Sequence, residues 1–350
     1  MVGSGANHND SKSTFGKGLW QIKKVSIRNS FIFAIVCTGF MVSCSSSSKH
    51  GLFFYEGTVM GTTYHVKIAT TNPPNAISID SVLFYVDTLL TTYNKSSELM
   101  RVNLSEPGTL NVSKDFAYVF NVARRVWKES EGAFDPTVGP VAWQHGFGPQ
   151  IHFDTIITGF EYFRLLETDS GHLLIKEMPN VYLDFGGIAK GYGVDKLAWF
   201  LMENGHTDFM IEVGGEVRIN GTKPDGKHWK IGIENPFEQG EFLYIVSDTN
   251  ISIATSGTYR QKKKEGDKEV THIVSVGDDR DRMPDVVLAS FMDTSCTYAD
   301  GWATALVAMG CEAAKKIILS NEFKNVIVVC RDSTTVIKIK GVLQDDTNNL

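Results

Sequence analysis

The sequence predicts a protein of the α+β class, and three observations carry that expectation. Apolar residues recur at three- and four-residue spacing in windows near 76–92, 113–127 and 191–204, the period of a helix with one buried face. From residue 209 onward, short runs of strand composition follow one another at hairpin spacings, with Gly221, Asp225-Gly226 and Asn235-Pro236 as turns. Composition is that of a packed chain: 350 residues, 42% hydrophobic and 21% charged, enough to bury one large core or two smaller ones. A formal net charge of −6 leaves no electrostatic case for nucleic acid as a partner.

Taken in order, the chain opens on a targeting pattern. Lys23, Lys24 and Arg28 precede an apolar run from Phe31 to Val42, too short to span a bilayer and built like the core of a signal peptide. The run ends at Met-Val-Ser-Cys (41–44), followed by four serines. This resembles the lipobox of a bacterial lipoprotein, so cleavage before Cys44 and acylation of its thiol are expected; a buried helix or a plain secretory signal are the alternatives. Residues 1–44 are then signal and anchor, 45–51 a flexible tether, 52–340 the folded domain and 341–350 a polar tail. Cys37 leaves with the signal. Cys296, Cys311 and Cys330 have neither metal-knuckle nor Cys-x-x-Cys spacing, so neither a zinc site nor a disulfide framework is expected.

Phe53–Gly57 and Thr62–Ala69 have strand composition, with Met60-Gly61 at the turn between them. Residues 76–92 suit a helix on which Ile79, Val82, Leu83, Val86 and Leu89 repeat, running into a polar loop at 91–98. Tyr93 in that loop is either a stacking platform for an aromatic ligand or half-buried core. Ser113 fits the N-cap of the next helix, whose apolar face is Phe116, Val119, Phe120, Ala123, Val126 and Trp127, with Gly132 as its stop. Residues 132–140, Gly-Ala-Phe-Asp-Pro-Thr-Val-Gly-Pro, are too rich in Gly and Pro for regular structure and too apolar for a solvent loop. Asp135 before Pro136 makes either a turn or a ligand contact. Trp143 to Pro149 continues this aromatic, glycine-rich surface, with His145 read as exposed. Ile156–Leu166 reads as a helix and Leu173–Glu177 as a strand.

An apolar, strand-like run, Val181-Tyr182-Leu183, then meets Asp184, Gly186-Gly187, Lys190 and Gly191. Glycines there let backbone groups approach a ligand where a Cβ would collide. Lys190 adds a point charge, and a helix beginning just after Gly191 turns its positive end toward the same place. The stretch suits a phosphorylated ligand, with Asp184 binding a donor group or sitting near a metal. An ordinary turn with packing glycines fits equally, because neither the P-loop nor the dinucleotide fingerprint is matched.

Beyond the strands, Thr255-Ser256-Gly257 interrupts the pattern; its hydroxyls and the Gly257 backbone either hold a phosphate or ribose or cap a turn. Residues 262–269 read as a solvated hairpin tip, with His272 on the strand just past it. A histidine titrates near neutrality and can act as a base toward a hydroxyl, or it can be structural. Residues 299–309 suggest a packed helix that places Asp300 and Thr304 one turn apart on one face. These offer oxygen ligands to a hard cation such as Mg²⁺, or act as a capping Asp and a back-bonded Thr.

Taken together, these segments resemble the ordered motifs of the ApbE family, the FAD:protein FMN transferases. The motifs are Met-Gly-Thr-Thr-Tyr (60–64), Phe-Asp-Pro-Thr-Val-Gly-Pro (134–140) with Trp-Gln-His-Gly-Phe-Gly-Pro (143–149), and Asp-Phe-Gly-Gly-Ile-Ala-Lys-Gly-Tyr (184–192). They continue with Val-Gly-Gly-Glu (213–216), Ala-Thr-Ser-Gly-Thr-Tyr (254–259), His272 and Ala-Asp-Gly-Trp-Ala-Thr-Ala (299–305). The resemblance runs from about Tyr55 to Met309. One departure is clear: where the family usually continues after the histidine with an Asp-Pro-x-Thr-Gly turn, this chain reads Ser275-Val276-Gly277-Asp278-Asp279.

The resemblance implies a compact fold of mixed, largely antiparallel sheets packed with helices, T-fold-like in architecture. It implies a site for FAD as substrate with Mg²⁺. Carried over by motif, Met60, Tyr93, Ala133, Phe134, Asp135, Asp184, Lys190 and a residue near Val274 line the flavin nucleotide, with Thr255, Ser256 and Gly257 alongside. Asp300 and Thr304 through side chains, and Gly187 and Ala303 through carbonyls, hold the metal. His272 is the implied base, with Lys190 and Asp184 at the reacting centre. The implied reaction moves FMN from FAD to a Thr or Ser hydroxyl of an exported flavoprotein, releasing AMP. Implied acceptors resemble flavin-bearing subunits of Na⁺-pumping quinone reductase or Rnf-type complexes. The implied location is the bacterial cell envelope, lipid-anchored through Cys44 and facing the periplasm. The competing readings are an FAD pyrophosphatase and a non-catalytic FAD carrier.

Overall fold

The computed structural model describes residues 50–346 apart from 152, 154, 260–261, 266–267, 276–282, 321–322, 324, 333–334 and 340–341. The segment expected as a signal, Cys44 and the expected tether through residue 49 lie outside the described residues, as do Val276–Asp279 and residues 347–350. The first half of the domain runs β1 (Gly51–Val59), β2 (Thr62–Thr70), α1 (Ala76–Leu90), α2 (Glu98–Asn103), β3 (Gly108–Val112), α3 (Lys114–Glu129) and α4 (Gly139–Gln144). It continues with β4 (Phe163–Thr168), β5 (Gly171–Lys176), α5 (Ala189–Glu203), β6 (Phe209–Val213), β7 (Glu216–Asn220), β8 (Trp229–Glu234) and β9 (Phe242–Asp248). The remainder is β10 (Asn250–Gly257), β11 (Lys262–Glu265), β12 (Lys268–Thr271), β13 (Val286–Asp293), α6 (Cys296–Met309), α7 (Cys311–Ser320), β14 (Val326–Cys330), β15 (Thr335–Ile339) and β16 (Val342–Asp346).

Among the described residues, nine strands form one antiparallel sheet in the order β1-β2-β6-β7-β10-β13-β14-β15-β16. Strand alternation sends successive side chains to opposite faces, so one sheet supplies two cores. Tyr64, Val66, Ile68, Phe209 and Ile211 pack against α1 and α5, and Ala254, Ala289, Phe291 and Val328 pack with α3 and α6. On the other face, Ile219, Ile253, Leu288 and Ile327 meet the inner residues of the β8–β9 hairpin, Trp229, Ile231 and Val246. β13 is therefore buried on both faces along almost its whole length. Its run Val-Val-Leu-Ala-Ser-Phe-Met lacks alternation for that reason, and no strand was expected there.

The first hairpin, α1, α3 and the strands at 209–213, 217–220, 229–234 and 242–247 lie where expected, within a few residues. Met60 and Gly61, with φ of 51° and 70°, make the turn between β1 and β2. Asn75, Ser97, Ser113 and Ser295 cap α1, α2, α3 and α6 with side-chain oxygens.

Several expectations are corrected. Residues 156–166 form no α-helix: a single 3₁₀ turn at Phe160–Tyr162 leads into β4, which pairs with β5 in a hairpin closed at Thr168 and Gly171. Sheet pairing overrides a weak helical period there. Val181-Tyr182-Leu183 is no sheet strand; it makes one parallel bridge, Ile157 with Val181. Its apolar character comes from the full burial of Val181 and Leu183, and the Asn103 amide substitutes for a strand partner, donating to Leu183 O at 2.8 Å and accepting from Leu183 N at 2.7 Å. Residues 132–140 are partly regular, with a 3₁₀ turn at Pro136–Val138 and then α4, each with a proline in its first two positions, where a missing N–H costs nothing. β16 occupies much of the stretch expected as a polar tail. A disulfide joins Cys311 to Cys330, tying α7 to the end of β14. Their separation of 19 residues carried no motif, and only the tertiary fold brings their Cα atoms to 6.0 Å.

Candidate active site

The site is assembled where the start of α5 crosses α6. Both helices are short of side chains at the crossing: a Cβ on Gly191 would lie 2.3 Å from Cys296 O and 2.7 Å from Asp300 Cβ. That close approach lets the Gly191 N–H donate to Asp300 Oδ2 at 2.9 Å. α5 begins at Ala189, so Lys190 and Gly191 belong to its first turn rather than preceding it as expected. One turn along α6, Thr304 Oγ1 donates to Gly187 O at 3.2 Å and stands 3.2 Å from Ser256 Oγ. Gly187 has no room for a Cβ, which would meet Thr304 Cγ2 at 2.8 Å. The segments at 187–191 and 300–304 therefore meet, and the structure adds Ser256 to them.

Asp300 is fully buried and inside α6, not at its N-cap, which is Ser295. Thr304 turns its hydroxyl across to Gly187. Ala303 is also fully buried, and its carbonyl sits mid-helix, where one lone pair belongs to the helical ladder and the other is free to accept. Lys190 Nζ lies 3.2 Å from Glu216 Oε1 and 3.8 Å from Asp300 Oδ1. Glu216, at the start of β7, was quoted only as part of a motif; its signal was the pair Gly214-Gly215 before it. Both glycines have positive φ, and Gly214 passes so close to Lys190 that a Cβ would lie 3.1 Å from its Cδ.

This cluster holds one ammonium against two buried carboxyl groups, so only with both acids ionised does it carry an excess of negative charge. Burial pushes the Asp300 carboxyl up, only partly opposed by Lys190 and the Gly191 N–H. Burial likewise pushes Glu216 up, against the opposing pull of Lys190. For Lys190 burial works downward, but Asp300 and Glu216 outweigh it and hold the ammonium above its ordinary range. Asp300 Oδ1 and Glu216 Oε2 are buried without a hydrogen-bond partner. An orphaned carboxyl oxygen on Asp300, one helical turn from a threonine hydroxyl that meets a backbone carbonyl, makes a hard-oxygen donor set of the kind Mg²⁺ takes. Among the described residues no three His, Cys, Asp or Glu side chains cluster as a cage; Mg²⁺, which keeps waters and phosphate oxygens, requires none.

Several of the other expected residues have partners of their own. Asp184 is held in place: it accepts from the Trp143 indole at 2.6 Å and from Gly186 N at 2.7 Å, and its own N–H donates to Pro136 O. Gly139 leaves the space for it, since a Cβ there would lie 2.3 Å from Asp184 Cβ. Burial pushes its carboxyl up, against those two hydrogen bonds. Tyr93 is exposed, and desolvation and then the charge of Asp184 push its hydroxyl up, so the two share a neighbourhood. Met60 packs its Cε where a Cβ of Gly193 would otherwise be, at 2.9 Å.

Asp135 Oδ1 accepts from both Thr137 N and Thr137 Oγ1, which is the turn reading of that residue. Phe134 is core. Ala133 lines a cavity of about 670 Å³ with Ser275, Met309 and Cys311, and Val274 is buried next to Ser275.

Two expectations are corrected here. Thr255-Ser256-Gly257 does not interrupt the strands but ends β10, and alternation splits the pair of hydroxyls. Ser256 faces Thr304, while Thr255 Oγ1 bonds Ser290 Oγ at 2.7 Å on the opposite face. Gly257 packs against Val287 O, which excludes a Cβ. His272 lies just past the end of β12 rather than on a strand; it is exposed, its ring centre 6.2 Å from that of Phe147.

Comparison with known proteins agrees with this geometry. A Vibrio cholerae protein named FAD:protein FMN transferase is 36% identical over 298 residues, covering 79% of this chain and 87% of its own. One of the same name from Haemophilus influenzae is 31% identical, covering 88% and 94%. Among solved structures, the Vibrio cholerae flavin transferase ApbE superposes with a TM-score of 0.69 at 32% identity, covering 85% of this chain and 97% of its own. The apo flavinyl transferase ApbE of Pseudomonas stutzeri gives 0.69 at 25% identity, covering 83% and 96%. With the ApbE family model matching residues 60–328, and the same motifs meeting at one buried carboxylate cluster, this chain belongs to the ApbE family.

Proposed function

We propose that this chain moves the FMN moiety of FAD onto a Thr or Ser hydroxyl of a partner flavoprotein and releases AMP. The observation that carries the reading is the convergence of α6 on the 187–191 stretch, Thr304 bonding Gly187 O across 117 residues of sequence while Asp300 accepts from Gly191 N and faces Lys190. The acceptor oxygen forms a bond to the FMN-side phosphorus, the bond from that phosphorus to the AMP oxygen breaks, and the hydroxyl proton passes to His272. Phosphoryl transfer of this kind asks for positioning and charge neutralisation more than covalent help. Mg²⁺ held by Asp300, Thr304 and the carbonyls of Gly187 and Ala303 would supply that neutralisation at the diphosphate. Lys190 adds a fixed positive charge, itself held in place by Glu216. The exposure of His272 suits a base that must meet a hydroxyl arriving on another protein.

Incubation with FAD, Mg²⁺ and an acceptor domain tests the reading by its products. AMP with an FMN-sized mass gain on the acceptor is the expected outcome; AMP with free FMN means a pyrophosphatase, and intact bound FAD means a carrier. His272→Ala is expected to slow transfer by about 10²-fold with FAD still bound, and an unchanged rate removes it as the base.

The location proposed for the enzyme is the periplasmic side of a bacterial membrane, anchored through a lipid on Cys44. The acceptors proposed are exported flavoproteins resembling the flavin-bearing subunits of Na⁺-pumping quinone reductase or Rnf-type complexes. The signal-like run ending at Cys44 supports the anchor, and the Cys311–Cys330 disulfide supports an oxidising compartment. Cys44→Ser is expected to move the protein from the membrane fraction to the soluble one; a wild-type chain already soluble after fractionation would sink the anchor.

A further inference from the structure

The β11–β12 hairpin is a two-stranded sheet of its own, and two strands alone are marginal in water. What ties it down is a contact to the loop after α4. Lys263 Nζ donates to Gly146 O at 2.5 Å and stands 4.5 Å from the centre of the Phe147 ring. Gly146 has a φ of 74°, and a Cβ there would lie 2.8 Å from the Lys263 ammonium, so the loop is shaped to admit that group. Lys263 pairs with Val270 across the hairpin, and the face that carries Val270 continues to His272, whose ring also meets Phe147. One aromatic ring thus touches both the lysine and the histidine.

The same loop leads directly into the site. Gly148 passes the Trp143 indole so closely that a Cβ would lie 1.9 Å from its Cδ1, and the indole N–H donates to Asp184 at 2.6 Å. A continuous set of contacts therefore runs from Asp184 through Trp143 and Phe147 to Lys263 and His272. From this geometry we infer that Lys263 is a positioning residue for the transfer step: it clamps the hairpin to Gly146 and Phe147 and so holds His272 beside the site. A lysine donating to a carbonyl over an aromatic face supplies both a donor and a cation, which methionine lacks and arginine keeps. The inference rests on His272 as the base, and the experiment separates the two.

Single-turnover transfer is measured on the full chain with saturating FAD, Mg²⁺ and an acceptor domain, with FAD affinity followed by flavin fluorescence. Lys263→Met is expected to slow transfer about five- to tenfold while FAD affinity stays within about twofold, because a small displacement of a base costs rate rather than binding. Lys263→Arg is expected to restore at least about half of the wild-type rate. In a His272→Ala background, Lys263→Met is expected to have no further effect. A Lys263→Met enzyme at the wild-type rate, an equal loss of FAD affinity, failure of arginine to rescue, or the same slowing with and without His272 would each overturn the clamp. A slowed His272→Ala beside an unaffected Lys263→Met overturns the clamp alone; His272→Ala at the wild-type rate overturns the base and the clamp together.

Discussion

Asp300→Asn is expected to abolish AMP release from FAD, by roughly 10³-fold or on the order of 4 kcal/mol in the barrier, while the fold and most of the flavin affinity survive. Asparagine has the shape of aspartate, and its side-chain oxygen can still accept the Gly191 N–H that Asp300 Oδ2 now takes. What disappears is the charge and the second oxygen, the buried Oδ1 that has no hydrogen-bond partner and faces Lys190 at 3.8 Å. With an amide at 300, Glu216 is left as the one acidic partner of Lys190 in the cluster, and no second carboxyl can ionise to offset a divalent cation. The assay is AMP release across a Mg²⁺ titration, with flavin fluorescence for binding. Wild-type turnover by the variant in the presence of EDTA would show that no cation acts through Asp300.

Asp195→Ala carries the second large effect, and it falls on stability. This carboxylate is fully buried and accepts five hydrogen bonds at the crossing of three elements. Arg218 of β7 donates at 2.5 Å, and Ser295 Oγ, Cys296 N, Thr297 N and Thr297 Oγ1 donate at 2.7–3.0 Å from the first turn of α6. A negative charge at a helix N-terminus is favourable in itself, and here it also satisfies backbone N–H groups that have no intrahelical acceptor. Alanine leaves those donors and a mostly buried guanidinium unpaired, which costs about 3–5 kcal/mol. At this chain length that corresponds to a drop in Tm of about 10 °C. Thermal unfolding followed by circular dichroism checks it, and a shift below about 2 °C would mean that α6 is anchored by other means. Because α6 carries Asp300 and Thr304, cation affinity is expected to fall along with stability.

Much of the site was readable before any coordinates because its chemistry depends on residue types that leave marks in sequence. Gly187 and Gly191 are glycines because Thr304 and Asp300 occupy the space of a side chain, and Asp300 and Thr304 share a helix face because the helical period places them there. The hairpin of β1 and β2 was equally plain from its Met-Gly turn. The β4 strand was misread as a helix because a short apolar run satisfies both periods, and the choice was made by pairing with β5. Likewise, Thr255 and Ser256 look equivalent as neighbouring hydroxyls, and only the pleat of β10 sends one to Ser290 and the other to Thr304.

By itself the sequence determined the capped helices, the glycines and the family motifs, since each of these is local chemistry written in adjacent residues. The tertiary structure alone decided which distant groups share one electrostatic environment. Glu216 with Lys190, Asp195 with the start of α6, Lys263 with Gly146, and Cys311 with Cys330 are separated by anything from 19 to 117 residues. No period or spacing encodes such pairs. They follow from strand order and helix crossing, which the chain settles only when its cores are buried together.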